Sequence, residues 1–222
     1  MQIEDFKPNR LEAVKDAAQE FIANRNGDRI GLLVFGKETF IQCPLTIDYS
    51  VLNSLLNEVT VMEPKYDGTA IGVAIASGVN RLRNSDSESK VIILLSDGSN
   101  NAGSIDPISA AKIAKEYEVR IYCLGIGQPG IGSPIPVHDK VGRLYGYKKD
   151  QKGEVILSKL NENLLKGIAE TTGGSYYRLS HSTNEINDLY QALSNFKQSI
   201  VPIVSSNDSL RQNSQNKYPS YF

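Results

Sequence analysis

The sequence predicts an α/β fold: a mostly parallel sheet with helices on both faces and one antiparallel edge strand. Three observations carry this. Short apolar runs rich in β-branched residues, Arg29–Phe35, Lys90–Ser96 and Arg120–Ile126, read as strands buried on both faces. Helical stretches alternate with them at the spacing of right-handed crossovers. The composition is globular, with 40% apolar and 22% charged residues over 222 positions. A chain of this length buries roughly 70% of its unfolded surface.

The elements follow in order. Asn9 caps a first helix, with Glu12 three residues on as its capping-box partner. Leu11, Val14, Ala18, Phe21 and Ile22 share one face, and the helix ends near Asn24–Gly27. Arg29–Phe35 turns through Gly36-Lys37 into a shorter strand, Glu38–Gln42, making a hairpin. Asp48 caps a helix reaching Val59, with Leu52, Leu55 and Leu56 inward. A loop over 62–68 precedes a helix over Thr69–Leu82. That helix is rich in small residues, which implies close approach to the sheet, since glycine inside a helix costs about 1 kcal/mol against alanine. Lys90–Ser96 follows, then a helix opened by Asp106-Pro107, then Arg120–Ile126.

Gly127–Val155 reads as an inserted loop with a hairpin, Asn161–Thr172 as a helix closed by Gly173-Gly174, and Ser175–Leu179 as a last strand. Ser182 and Glu185 form a capping box for a helix carrying Ile186, Leu189, Leu193 and Phe196. Residues 1–198 are thus assigned to one domain. Residues 199–222 read as a disordered tail, because Ser, Asn and Gln dominate from Ser205 onward.

Several function classes are excluded by composition. The 24 basic and 25 acidic residues give a net charge of −1, so a broad grip on nucleic acid or an anionic membrane is not expected. Cys43, Cys123, His138 and His181 cannot assemble a Cys/His zinc set. No run approaches the ~18–20 apolar residues of a membrane span. MQIEDFKPNR lacks the apolar stretch of a signal peptide, so the chain as written is expected to be soluble and cytoplasmic.

Gly125, Gly127 and Gly130 match G-x-G-x-x-G after a strand, but IGSPIPV does not open the helix a pyrophosphate needs, so a plain loop is expected. Asp97, in Ser96-Asp97-Gly98, ends the most apolar strand, where α/β folds place ligands. It is either a hard oxygen ligand for Mg²⁺, Mn²⁺ or Ca²⁺, supported by Ser99, Asn100 and Asn101, or a turn residue bonding its own backbone. Thr69 is either the cap of its helix or a hydroxyl facing the same crevice. Asp5/Glu4 and Asp16/Glu20 read as solvated faces. No nucleophile lies beside a base, so no catalytic residues are assigned.

These stretches resemble a known family. KVIILLSDGSNNAG, DGTAIGVAIASGVNRL and DRIGLLVFG are similar to the von Willebrand factor type A (vWA) domain, in its bacterial aerotolerance (Bat) branch. MQIEDFKPNRLEAVKDAAQEFI, TFIQCPLT and LLKGIAETTGGSYYRL resemble that branch too, so the likeness covers about residues 1–197. It implies a Rossmann-like sheet and a metal-ion-dependent adhesion site built from an Asp-x-Ser-x-Ser loop, a threonine and an aspartate. The threonine maps to Thr69 and the aspartate to Asp97. The Asp-x-Ser-x-Ser loop and the central first strand that carries it are missing, Met1 standing where that loop ends.

With two of the three parts, weak or absent divalent-cation binding is expected. The strands over 29–35 and 90–96 would have to pair directly, leave a gap or expose apolar edges, which predicts association. The resemblance implies a non-enzymatic interaction module that binds a partner carboxylate through the metal. The partner would be a MoxR-type ATPase or another Bat-type protein in the bacterial envelope, where relatives are membrane-anchored. Two rivals stand beside it: a truncated or mis-started product with impaired metal binding, and a metal-assisted hydrolase using Asp97.

Overall fold

The computed structural model describes residues 1–61, 68–128, 130, 132–138, 143–179, 188, 191 and 198–205. In chain order these form α1 (Arg10–Ala23), β1 (Arg29–Phe35), β2 (Thr39–Thr46), α2 (Tyr49–Asn57), α3 (Ile71–Leu82), β3 (Ser89–Ser96), α4 (Pro107–Glu116) and β4 (Val119–Gly125). There follow β5 (Ser133–Pro134), β6 (Pro136–His138), β7 (Leu144–Tyr147), β8 (Leu157–Ser158), α5 (Glu162–Thr172), β9 (Tyr176–Arg178) and β10 (Gln198–Ser205). The capping box at 182–185 lies outside the described residues, as does its helix apart from residues 188 and 191, which are helical.

The main sheet has six strands in the order β2-β1-β10-β3-β4-β9. All neighbours are parallel except β2, which pairs antiparallel with β1 at one edge. The sequence-predicted α/β architecture is therefore present. β2 runs further than expected, to Thr46, and its register against β1 shifts twice near Leu32. Pro44 is tolerated there because an edge strand has one unpaired side.

The predicted tail is corrected at its start. Residues 199–205 belong to β10, which lies between β1 and β3 in the middle of the sheet. It is parallel to both, with Ile200 opposite Ile30 and Val91, and Val204 opposite Val34 and Leu95. The expected gap or open apolar edges in the middle of the sheet are therefore not found. The cause is burial: Ile200, Val201, Ile203 and Val204 are at most 2% exposed. Completely burying such a side chain contributes about 1.5–3 kcal/mol, which outweighs the polar composition that follows them. Residues 206–222 lie outside the described residues.

Side chains alternate across the sheet and divide the core in two. On one face Ile200, Val204, Val91, Ile93 and Ile30 meet Leu11, Val14, Ala18, Phe21 and Ile22 of α1 and Leu52 and Leu56 of α2. On the other, Val201, Ile203, Ile92, Leu94 and Leu33 meet Ile71, Ile75 and Val79 of α3, Ala110, Ala111 and Ala114 of α4, and Leu165 and Ile168 of α5. The small residues of α3 have the predicted purpose. A Cβ on Gly78 would stand 2.9 Å from Ile92 Cδ1 and 3.1 Å from Ile203 Cδ1, so glycine lets the helix lie close on β3 and β10.

Local signals set the helix ends. The Asn9 amide oxygen accepts the Glu12 N–H at 3.0 Å, and the Asp48 carboxylate accepts those of Ser50 and Val51. Asp106 accepts from Ser109 ahead of Pro107, and α5 stops at Gly173 in the left-handed conformation (φ 73°). Cys43 and Cys123 are both buried free thiols on different strands.

Candidate functional site

Strands β3 and β10 end at one edge of the sheet, and the loop after β3 meets the start of α3 there. A cleft of about 280 Å³ opens at this edge. Asp97, Ser99, Thr69 and Asn101 line it, together with Met1, Ile3 and Ser205. Ile135 and Lys148 of the 127–155 insert, with Leu157 and Ser158 of β8, line it as well. The structure thus brings the two candidate residues, Thr69 and Asp97, to one cleft.

Thr69 is not the cap of α3. The helix begins at Ile71, and Ala70 in the cap position has no side-chain oxygen to offer. The capping function comes from the loop after β3, because the Asn100 amide oxygen accepts the Ile71 N–H at 3.0 Å. Asn101 Oδ1 accepts the Thr69 N–H at 2.7 Å, and the Thr69 carbonyl accepts from the N–H groups of Asn101 and Ala102. Rather than offering their oxygens to a metal, Asn100 and Asn101 tie the two loops together.

Asp97 is held from both sides. Its Oδ1 accepts the Ser99 N–H at 3.0 Å, so the turn alternative holds for this oxygen. Its Oδ2 accepts the Ser158 hydroxyl at 2.8 Å, with Arg10 Nη1 at 3.5 Å. Arg10 is the residue that sequence reasoning missed. It is fully buried at the start of α1, donating to Asp5 through Nε at 2.8 Å and Nη2 at 2.6 Å, and through Nη1 to Ser158 Oγ at 2.8 Å. The reading of Asp5 as a solvated carboxylate is corrected accordingly, since its side chain is 8% exposed and chelates a guanidinium. Burial alone would raise the Asp5 carboxyl, but the Arg10 bonds and charge, with the Ser133 hydroxyl, outweigh it and hold the group below the usual carboxylate range.

The glycine-rich stretch after β4 has a structural role here. Gly127 sits at φ 133°, and a Cβ there would strike the Arg10 guanidinium at 2.8 Å, so a side chain at this position would displace the arginine. The only sequence signal for Arg10 was its place in the segment resembling the Bat branch.

Mg²⁺ needs near-octahedral oxygen coordination at about 2.0–2.1 Å. Among the described residues lining the cleft the one carboxylate is Asp97, whose oxygens already accept from Ser99, Ser158 and Arg10. The Asn100 and Asn101 amide oxygens are committed to backbone N–H groups. Among the described residues no group of three His, Cys, Asp or Glu side chains could hold a metal ion. As arranged, these residues do not fit a resident divalent cation.

A mostly parallel sheet covered on both faces, with an aspartate loop and a threonine loop meeting at its carboxyl edge, defines a vWA-type α/β domain. The chain belongs to this family: the von Willebrand factor type A domain matches residues 1–192. It is similar to BatB from Bacteroides thetaiotaomicron, with 31% identity and a TM-score of 0.77 over 87% of this chain and 91% of that one. An aerotolerance-related membrane protein from Bacteroides fragilis gives 28% identity and a TM-score of 0.77 over 87% and 92%. An uncharacterized protein from Borreliella burgdorferi is 30% identical over 80% of this chain and 50% of its own length. The chain spans about half the length of the curated relatives it matches. Among the described residues no helix is long and apolar enough to cross a membrane.

Proposed function

We propose that the protein is a non-enzymatic interaction module whose carboxyl-edge cleft receives an acidic side chain of a protein partner. The observation that carries this is the convergence of Thr69, Asp97 and Ser99 on one cleft, in a family whose domains generally mediate protein interactions. The partner class that the Bat resemblance names is a MoxR-type ATPase or another Bat-type protein in the bacterial envelope. Where the Asp-x-Ser-x-Ser loop is supplied, a divalent metal, Mg²⁺ or else Mn²⁺ or Ca²⁺, would bridge that carboxylate to Thr69 and Asp97.

In this chain the proposal is weak or absent metal binding, because Arg10 and Ser158 already satisfy Asp97 Oδ2. The same observation favours a second reading, a domain with impaired metal binding that recognises partners without it. Calorimetric titration with Mg²⁺ tests the weak binding that both readings share, and partner binding with and without EDTA separates them. Micromolar affinity would overturn the weak-binding proposal. Partner binding that is unchanged both in EDTA and on Asp97→Ala, in a version with the Asp-x-Ser-x-Ser loop restored, would reject the metal-bridged cleft.

A further inference from the structure

The small strands between β4 and α5 stand outside the main sheet and carry an unusual surface. Among the described residues, five of the eleven large apolar side chains that are well exposed fall between 144 and 157. They are Leu144, Tyr145, Tyr147, Val155 and Leu157, each at least 40% exposed. Single exposed apolar residues are ordinary, but a group of them on one small element marks a contact surface. Tyrosine is also among the side chains that most often anchor protein interfaces.

The local pairing brings these side chains together. The Lys148 N–H donates to the Ile135 carbonyl at 2.9 Å, and the Lys148 carbonyl accepts the Ile156 N–H at 2.8 Å. Lys149 bridges to Val155 in antiparallel fashion. The strand of Tyr145 and Tyr147 therefore has β6 on one side and the strand of Val155 on the other. Opposite residues in such a ladder share a face, and successive ones alternate. Lys148 and Ile156 line the cleft. Tyr147, Lys149 and Val155 thus share the outer face, while Leu157 stands at the rim, exposed and lining the cleft. Gly146, between the tyrosines, has no positive φ, and a Cβ added there meets no neighbouring atom within 4 Å. Its missing side chain leaves room for a partner's.

The base of this element is tied to the cleft. Ser133 and Ser158 are paired across β5 and β8. Ser133 Oγ donates to Asp5 at 2.9 Å and Ser158 Oγ to Asp97 at 2.8 Å, and Arg10 donates to both Asp5 and Ser158. A surface ordered before contact loses less entropy on binding.

Charge selects the occupant. Over residues 143–159 the five cations Arg143, Lys148, Lys149, Lys152 and Lys159 outnumber the two carboxylates, Asp150 and Glu154, whereas the whole chain carries −1. The segment is basic and the remainder of the chain acidic, so an acidic partner is steered here. Asp150 is engaged in the turn, its Oδ1 accepting the N–H groups of Lys152 and Glu154 at 2.8 and 2.9 Å. An anionic membrane is the poorer match. The hairpin end at 150–154 carries both carboxylates and no apolar side chain, and a bilayer has nothing to place in a cleft of about 280 Å³. An extended protein segment satisfies the cations, the tyrosines and the cleft together.

We propose that the outer face around Tyr145, Tyr147 and Val155, continued to the cleft rim at Leu157, docks an extended acidic segment of a partner protein in which Asp or Glu alternates with aromatic or aliphatic residues. This rests on the reading of the cleft as the receiver of an acidic side chain, to which the surface leads.

The probe is a synthetic eight-residue peptide alternating glutamate with phenylalanine or leucine. Added to the ¹⁵N-labelled full chain, it should shift the amides of 143–149 and 155–157. A peptide with lysine for glutamate, or with serine for the apolar residues, should not. Tyr145→Ser/Tyr147→Ser should weaken binding about tenfold or more. Gly146→Glu, which fills open space and adds a repelling charge, should also weaken it. Both variants should keep the thermal midpoint of the unmodified chain. Thr69→Val/Ser99→Ala reads the cleft separately: weakening there but not in the tyrosine variant would overturn the docking surface and leave the cleft reading standing. Weakening in the tyrosine variant but not there would uphold the surface and count against the cleft. No shifts with the acidic peptide, equal shifts with the lysine peptide, or tyrosine-dependent binding to phosphatidylglycerol vesicles in place of the peptide would each overturn the proposal.

Discussion

Replacing Arg10 with methionine removes the guanidinium that joins α1, the N-terminal segment and the cleft, while keeping most of the side-chain stem. The guanidinium is fully buried and donates twice to Asp5, whose side chain is 8% exposed. Removing one partner of a buried ion pair costs about 3–5 kcal/mol, because the other charge is left without compensation. Asp97 adds less, since it is 16% exposed and keeps its bonds from Ser158 and Ser99.

The pH dependence fixes the sign. In the native protein the Asp5 carboxyl lies below its ordinary value. Its contribution is therefore present above the unfolded carboxylate range and lost as pH falls through the lower folded value. In Arg10→Met the burial that raises this carboxyl acts without the arginine, so the variant loses stability as pH rises through the carboxylate range. The deficit should be widest at neutral pH and shrink towards about pH 4, near the ordinary value for aspartate. Urea unfolding followed by circular dichroism at both pH values measures it. Asp5→Asn in the Arg10→Met background should recover part of the loss at neutral pH. A deficit under about 1 kcal/mol at neutral pH, well below the range for a broken buried pair, or one that grows in acid, would refute the reasoning.

Ile203→Ala removes a fully buried side chain from β10 and should cost about 2–5 kcal/mol in the same denaturation assay; a change within error would deny Ile203 its place in the core. Gly78→Val puts branched atoms where even a Cβ is 2.9 Å from Ile92 and should destabilise by about 1–3 kcal/mol in thermal unfolding. Asn101→Ala leaves the Thr69 N–H without its acceptor and should cost about 1–3 kcal/mol, with faster amide exchange at residues 69–71 as the local readout. Cys123 is fully buried and its thiol is pushed far up by burial, so a disulfide reagent should leave it unmodified in native protein and label it on unfolding.

Features with local causes were legible in the sequence. Asn9, Asp48, Asp106 and Gly173 mark helix ends because caps act within a few residues. The run Val91–Leu95 marks a doubly buried strand because every position in it is apolar. Features set by distant partners were not. Arg10 looked like any charge in a first helical turn, and its acceptors stand at positions 5 and 158, with the Asp97 carboxylate beside it. Thr69 met the local rule for a cap, but an amide 29 residues from Ile71 took that task. β10 was hidden by Pro202, which argues against a central strand, and by the polar residues after it. Its place depends on an open slot between β1 and β3, which no window of sequence around residue 200 contains.

Amide hydrogen exchange at residues 199–205, read residue by residue on the full chain, tests the central claim that β10 completes the sheet. The account predicts that Ile200, Val201, Ile203 and Val204 are protected to a degree comparable with Ile92–Leu94 of β3. Exchange of these amides at the rate of an unstructured peptide, with β3 still protected, would contradict it.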